Sequence, residues 1–149
     1  MDLFKIFSIS GSGMAAQRSR MTVVAGNLAN TETSRTPEGG PYRRRDVVFR
    51  SVPGGGEFSD ELADLTEGRD GVQGVEVVGV KQSSRPPRLL FDPSHPDANG
   101  DGYVALPDIN PMEEMVDMMS AVRSYEANLS AYNTTKTLIR RILDIGRNS

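Results

Sequence analysis

Apolar residues return along the last forty residues of the chain at Met115, Met118, Val122, Tyr125, Leu129, Tyr132, Ile139 and Leu143, with Lys136 the one polar position in the walk. The steps alternate between three and four, a mean of about 3.5, the period at which an apolar stripe keeps facing a partner as two helices wind round each other. This predicts one long helix over residues 110–149. Asn110 suits its N-cap, Pro111 its first helical position and Glu113 the carboxylate of a capping box, while Gly146 suits a left-handed stop. Glu113, Glu114, Asp117 and Glu126 precede Lys136, Arg140, Arg141 and Arg147, the order a helix dipole favours, with Arg123 and Asp144 against it. A helix of about 35 residues is roughly 50 Å long. A chain of 149 residues cannot cover such a length by itself, so the stripe needs partners.

A second walk at the same period runs through Leu3, Phe7, Ser10, Met14, Gln17, Met21, Val24 and Leu28. Gly11 and Gly13 weaken its first half, since a glycine inside a helix costs about 1 kcal/mol relative to alanine. The helix is therefore predicted with most weight from Met14 to Leu28. Asn27 and Asn30 stand where the first helix ends, placed either to cap it or to hydrogen-bond the Gly/Pro/Thr-rich linker that follows. From Asp46 the pattern turns to strand character. DVVFRSV, VEVVGVKQS, RLLF and GYVAL predict a small sheet of three to five strands, interrupted by Pro86-Pro87 and by the Asn99-Gly100 turn signal. The expected organisation is α+β. A helical arm (1–36) pairs in coiled-coil fashion with a long C-terminal helix (110–149), and a linker and small β-rich lobe (37–109) lie between, with a variable acidic loop at 54–71.

Charge sharpens this division. The chain carries −3 overall, but residues 46–110 hold twelve acids against five bases, a local −7, leaving the flanks at +4. The middle reads as a solvated outer part and the flanks as contacting parts. With 37% apolar residues, Gly 15 and Pro 9, much of the burial is expected between molecules. There is no cysteine, hence no disulfide and no thiolate-bound metal. No apolar run reaches the 18 or so residues of a membrane span, and the opening MDLFKIFSIS lacks the basic and small-residue features of a cleaved leader. Arg43, Arg44 and Arg45 form a short basic cluster beside Tyr42, too small a field with too few aromatics for nucleic acid, and read as a solvated or subunit-contacting patch.

Chemistry is scarce. His95, the single histidine, lies in a turn between Ser94 and Pro96, and no nucleophile elbow, phosphate loop or zinc-protease motif occurs. No enzyme and no cofactor are expected. One stretch resembles a ligand site: Asp97, Asn99, Asp101 and Asp108 match positions 1, 3, 5 and 12 of the EF-hand loop, with Gly102 at position 6. Prolines flank it where helices are required, and Asp108 is shorter than the usual glutamate. A calcium-binding coiled-coil module using residues 97–108 is the alternative reading. An Asx-rich turn leading into a strand is the competing one.

Three stretches carry a resemblance. SISGSGMAAQRSRMTVVAGNLANTET contains Asn27-Leu28-Ala29-Asn30; MEEMVDMMSAVRSYEANLSAYNTTKTLIRRILDIG contains Arg123-Ser124-Tyr125-Glu126-Ala127-Asn128; DPSHPDANGDGYVALPDINPMEEM lies between. Together they resemble the bacterial flagellar basal-body rod proteins, and the central stretch is similar to members that build the proximal rod. The resemblance implies a non-enzymatic subunit exported without a cleaved leader, which stacks helically into the axial shaft that transmits motor torque. Its terminal helices would lie inside and its lobe outside, in the basal body across the periplasm. The implied partners are further copies of itself, B-type and F-type rod subunits, the adaptor joining rod to membrane ring and, during secretion, the flagellar type III export gate, towards which the Leu3/Phe4/Phe7 cluster is the candidate contact. No nucleic acid and no membrane insertion are implied. The candidate assembly residues are Met14, Met21, Val24, Asn27, Leu28 and Asn30 on the first helix, and Met115, Met118, Val122, Tyr125, Leu129, Tyr132, Ile139 and Leu143 on the last.

Overall fold

The helix predicted to falter at Gly11 and Gly13 runs unbroken from Leu3 to Ala29 as α1 in the computed structural model, which describes residues 3–53 and 73–147. The glycines are there for approach. A Cβ on Gly13 would lie 2.9 Å from Oδ1 of Asn128 on the last helix, so only hydrogen fits without displacing that side chain. Between the glycines, the Ser12 hydroxyl donates to the Ile9 carbonyl at 2.8 Å and accepts the Val75 N–H at 3.2 Å, tying a strand to the helix. Small side chains thus bring neighbouring backbone close, and the packing outweighs the propensity deficit.

After α1 come β1 (Arg45–Pro53), β2 (Gln73–Gln82), β3 (Arg88–Phe91), β4 (Tyr103–Leu106) and α2 (Pro111–Arg147). The arrangement is α+β: two long terminal helices with a small set of strands between them. The expected single sheet is instead two separate ribbons, β1 with β2 and β3 with β4. Pro86 and Pro87, which cannot donate to a ladder, stand between β2 and β3 and end the pairing there. In the second ribbon the strands are antiparallel, with Arg88 opposite Leu106 and Phe91 opposite Tyr103. The expected acidic loop 54–71 and the side chains of Leu3 and Phe4 lie outside the described residues.

α2 begins as its sequence predicts. The Asn110 side-chain oxygen accepts the Met112 N–H at 3.1 Å, the Glu114 N–H donates to the Asn110 carbonyl at 3.1 Å, and the Asn110 amide reaches Glu113 at 3.2 Å. Its other end differs, because the helix passes through Gly146 to Arg147 with no left-handed turn there.

The chain divides into two units. One comprises residues 1–19, 49–78 and 121–149. Here α1 meets α2 through Phe7 edge-on to Tyr132, ring centroids 4.5 Å apart, and through Gly13 against Asn128, and Ala16 and Ala121 are buried in the same unit. The other comprises residues 20–48 and 79–120. Its buried residues are Val24, Asn27, Val104, Leu106, Pro107, Ile109 and Glu114, so β4 turns Val104 and Leu106 inward as a two-residue alternation requires. An ion pair between Arg20 and Asp117 joins the two helices in this unit.

Candidate functional site

Asn27 is fully buried, and its side-chain amide makes four hydrogen bonds. Its Nδ2 donates to the Arg45 carbonyl at 2.8 Å and to Glu114 Oε2 at 3.0 Å; its Oδ1 accepts the Arg45 N–H at 2.9 Å and the Tyr42 hydroxyl at 3.2 Å. Both donors and both acceptor positions are therefore used. The two bonds to Arg45 imitate a strand partner and fix where β1 begins. The bond to Glu114 ties the same point to the first turns of α2. Asn30, three residues on, closes α1: its Nδ2 donates to the Gly26 carbonyl at 2.8 Å and its Oδ1 accepts from Thr33 at 3.1 Å. The two asparagines thus divide the roles that the sequence left open between them.

Glu114 is 1% exposed and receives a second partner, Arg44 Nε at 2.5 Å. Arg44 also grips Asp46 with Nη1 at 2.5 and 2.6 Å from its two oxygens. Burial works to lower the Arg44 pKa and is outweighed by these two carboxylates, so the guanidinium is held above its ordinary value. The Tyr42 phenol is raised, chiefly by burial; Arg45, stacked over its ring at 5.4 Å, pulls the other way, and Glu114 adds to the rise. A buried carboxylate with a charged donor and a neutral donor is a joint, because it is satisfied only when α1, the linker and α2 are all in place. Nothing in this arrangement places a nucleophile beside a base.

The other face of α2 has a different character. Met118, Tyr125, Tyr132 and Ile139 from the predicted stripe are half-buried, whereas Met115, Val122, Leu129 and Leu143 are 44%, 37%, 39% and 67% exposed. Tyr132 of the stripe packs on Phe7 of α1, and Glu114, Ala121, Asn128 and Thr135, each one residue before an exposed stripe position or Lys136, turn inward beside it. Met112, Val116 and Met119 join Met115 on the exposed side, at 66%, 59% and 54%. On α1, Val24 and Asn27 are buried, and Met14, Met21, Leu28 and Asn30 are half-buried. Sequence reasoning missed Tyr42, Arg44 and Glu114. The available signal was Glu114 itself, a helical residue four positions before Met118 and seven before Ala121, on the row that faces the partner helix.

The EF-hand-like loop uses its side chains for its own turn. Asn99 Oδ1 accepts the N–H groups of Asp101 at 3.0 Å and Tyr103 at 2.9 Å, an Asx turn leading into β4. Asp97 accepts from Ser34 at 2.8 Å and faces Arg35 at 3.8 Å, while Asp108 faces Arg85 at 3.7 Å. Gly102 has φ +79, and a Cβ there would lie 3.0 Å from Phe91 and Pro93, which accounts for the glycine through the β3–β4 turn alone. Among the described residues no three carboxylates or histidines converge as metal ligands would.

Residues 7–35 match the family described as flagella basal body rod protein, and residues 101–145 match the C-terminal family of the flagellar basal body rod FlgEFG proteins. Whole-length relatives are similar throughout. The flagellar basal-body rod protein FlgC of Borreliella burgdorferi is 42% identical over 97% of this chain and 98% of its own length. That of Bacillus subtilis is 41% identical over 99% and 100%. That of Salmonella typhimurium is 38% identical over 99% and 100%.

Proposed function

The chain belongs to the flagellar basal-body rod protein FlgC family and is a structural subunit of the rod, and from that premise we propose that it assembles through the outward face of α2. Membership implies contact with other rod components; the finer reading adds B-type and F-type rod subunits, the adaptor to the membrane ring, and passage through the type III export gate to a site across the periplasm. Copies stack through heterologous contacts that do not close, which generates a helical shaft. The role is mechanical and non-enzymatic.

One observation carries this reading. α2 turns Glu114, Ala121, Asn128 and Tyr132 towards its own chain and leaves Met112, Met115, Val116, Met119, Val122 and Leu129 exposed. Apolar surface at helical spacing is the surface another helix covers. Methionine suits a junction between unlike neighbours because its unbranched side chain adapts to irregular gaps. The test is Val122→Glu with Leu129→Glu in a strain lacking the chromosomal copy. Both side chains are exposed, so the purified variant keeps its helix content and melting temperature; swimming is lost and the variant is missing from isolated basal bodies. Normal swimming with the variant present in basal bodies overturns the assignment of this face.

A further inference from the structure

Within the second unit the linker after α1 turns back on itself and, with Gln82, encloses a cleft of about 450 Å³ whose lining residues all belong to that unit. The left-handed glycines Gly39 and Gly40, at φ +92 and +75, make the turn. Gly39 N–H donates to the Thr36 carbonyl at 3.0 Å, Thr36 N–H to the Gly40 carbonyl at 2.8 Å and Tyr42 N–H to the Thr33 carbonyl at 3.1 Å. The Thr33 hydroxyl donates to Asn30 at 3.1 Å and the Thr36 hydroxyl to the Gly40 carbonyl at 3.2 Å. The wall thus spends these donors on itself.

The charge lining the cleft is mostly positive: Arg35, Arg43 and Arg45 stand against a single carboxylate, Glu38. Arg35 is shared with Asp97 at 3.8 Å, whereas Arg43 and Arg45 form no ion pair among the described residues. Arg45 is also held in advance. Buried Asn27 accepts its N–H at 2.9 Å, donates to its carbonyl at 2.8 Å and accepts the hydroxyl of Tyr42 at 3.2 Å, over whose ring the Arg45 guanidinium lies at 5.4 Å. A cation fixed before it binds loses less freedom on binding.

The chemistry of the wall selects among anions. Phosphate sites draw on backbone N–H groups aimed at the ligand, and here the linker amides named above are spent. A nucleic-acid strand needs a ring on which a base can stack, and Tyr42, the one aromatic residue lining the cleft, already carries Arg45. Carboxylates need only the guanidinium fork. Arg44, between the two unpaired arginines, shows the pairing by gripping Glu114 and Asp46.

We infer that the Arg35/Arg43/Arg45 cleft binds an acidic peptide segment, its carboxylates held by Arg43 and Arg45, and that in the rod an adjoining subunit offers that segment. The second half rests on the rod reading and names the chemistry of one contact within it. The contact is exposed and electrostatic, so it orients subunits and is weakened by salt.

Two experiments test it. A fluorescein-labelled peptide of alternating glutamate and glycine is titrated into the purified full chain and followed by anisotropy. Saturable binding is expected, falling about tenfold with Arg43→Glu and Arg45→Glu together. Arg43→Glu alone, which leaves Arg45 on Tyr42, lowers it about threefold, and circular dichroism checks that both variants keep the fold. Arg140→Glu with Arg141→Glu makes the same change of charge at exposed positions of α2 and leaves binding unchanged. No saturable binding, an equal loss with the Arg140 and Arg141 reversals, or tighter binding of the matching phosphoserine and glycine peptide overturns the inference. In flagellated cells, Glu38→p-benzoylphenylalanine sets a photocrosslinker in the cleft. Irradiated basal bodies are expected to yield an adduct that mass spectrometry maps to a stretch rich in aspartate or glutamate on an adjoining subunit. An adduct on a stretch without acids, or none from basal bodies that contain the variant, overturns the contact and leaves the rod reading intact. Absence of the tagged wild-type chain from basal bodies overturns the rod reading, while peptide binding by the purified chain stands or falls by itself.

Discussion

Asn27→Ala removes a side chain of modest size and leaves four groups without their partner. Two of them recover. The Tyr42 hydroxyl is half-buried and Arg45 is exposed, so water reaches the phenol and part of the strand backbone. Glu114 keeps Arg44, but Oε2 loses its donor at a site 1% exposed, and the cavity left by Asn27 is fully buried. A buried polar atom left unsatisfied costs about 1–3 kcal/mol, and each net hydrogen bond lost adds about 0.5–1.5 kcal/mol. Counting one orphaned carboxylate oxygen and one or two backbone bonds, the loss is about 2–4 kcal/mol, or roughly 5–15 °C in melting temperature for a chain of this size. Asn27→Asp, nearly isosteric, is the sharper companion. It replaces the donor 3.0 Å from Glu114 with an oxygen, so that two carboxyl groups meet in a buried site and stability at neutral pH falls below that of Asn27→Ala. The assay is urea unfolding of the purified chain followed by circular dichroism, with hydrogen exchange at Arg45 as the local readout. A loss below about 0.5 kcal/mol for Asn27→Ala, the size of an ordinary surface change, would refute the joint, as would an Asn27→Asp variant as stable as wild type.

Gly13→Ala gains helix propensity of about 1 kcal/mol but sets a Cβ 2.9 Å from Asn128 Oδ1, so the single change is neutral or destabilising. Paired with Asn128→Ser the gain is released, and a double-mutant cycle by urea unfolding reads a coupling of at least about 0.5 kcal/mol; simple additivity counts against the close approach. Tyr42, held neutral chiefly by burial, titrates above the ordinary phenol value of about 10. Its contribution to stability is therefore present below that value and is lost as pH rises through its folded pKa. Ultraviolet titration of phenolate should show a late component that Tyr42→Phe removes, and an unchanged curve would contradict the burial. Amide exchange on the isolated chain should be slow around Glu114 and Ala121 and fast from Arg140 onward, where every described side chain of α2 is exposed; uniform protection to the end of the helix would mean that its last turns have found cover.

The helices were legible because period and caps are local properties. Asn110, Pro111 and Glu113 mark the start of α2 through bonds that span at most four residues. What the sequence concealed depends on contacts far apart in the chain. Gly13 reads as a weak point until Asn128, on another helix, shows why it is a glycine. Glu114 reads as an exposed first-turn acid until Arg44 and Asn27 are brought to it. The apolar walk from Met115 to Leu143 divides between two surroundings, Tyr132 against Phe7 of α1 and Met115, Val122, Leu129 and Leu143 exposed, since periodicity finds the oily stripe and does not say which partner covers it. The calcium template is met for a local reason. Its residues are those a tight turn also selects, and Asn99 and Gly102 serve the turn.

The division of α2 into two rows bears on how such a subunit holds together. Six apolar side chains are buried among the described residues, two of them alanine, while eighteen large apolar side chains are exposed. Burial is the main source of folding energy, at about 25 cal/mol per Å², so the exposed apolar side chains among the described residues leave a gain for association. The inner side compensates little in amount, because beside Tyr132 on Phe7 it offers Glu114, Ala121, Asn128 and Thr135, which are small or polar. It can compensate in specificity: polar groups that must all be satisfied permit one register between helices, whereas an oily stripe permits several. The two rows therefore act on separable quantities. Asn27→Ala lowers the stability of the isolated chain before assembly begins, and Val122→Glu with Leu129→Glu leaves that stability within about 0.5 kcal/mol while removing the subunit from the shaft. A subunit built in this way is marginal alone and secure in company, since every contact that binds the folded form adds to its stability by mass action.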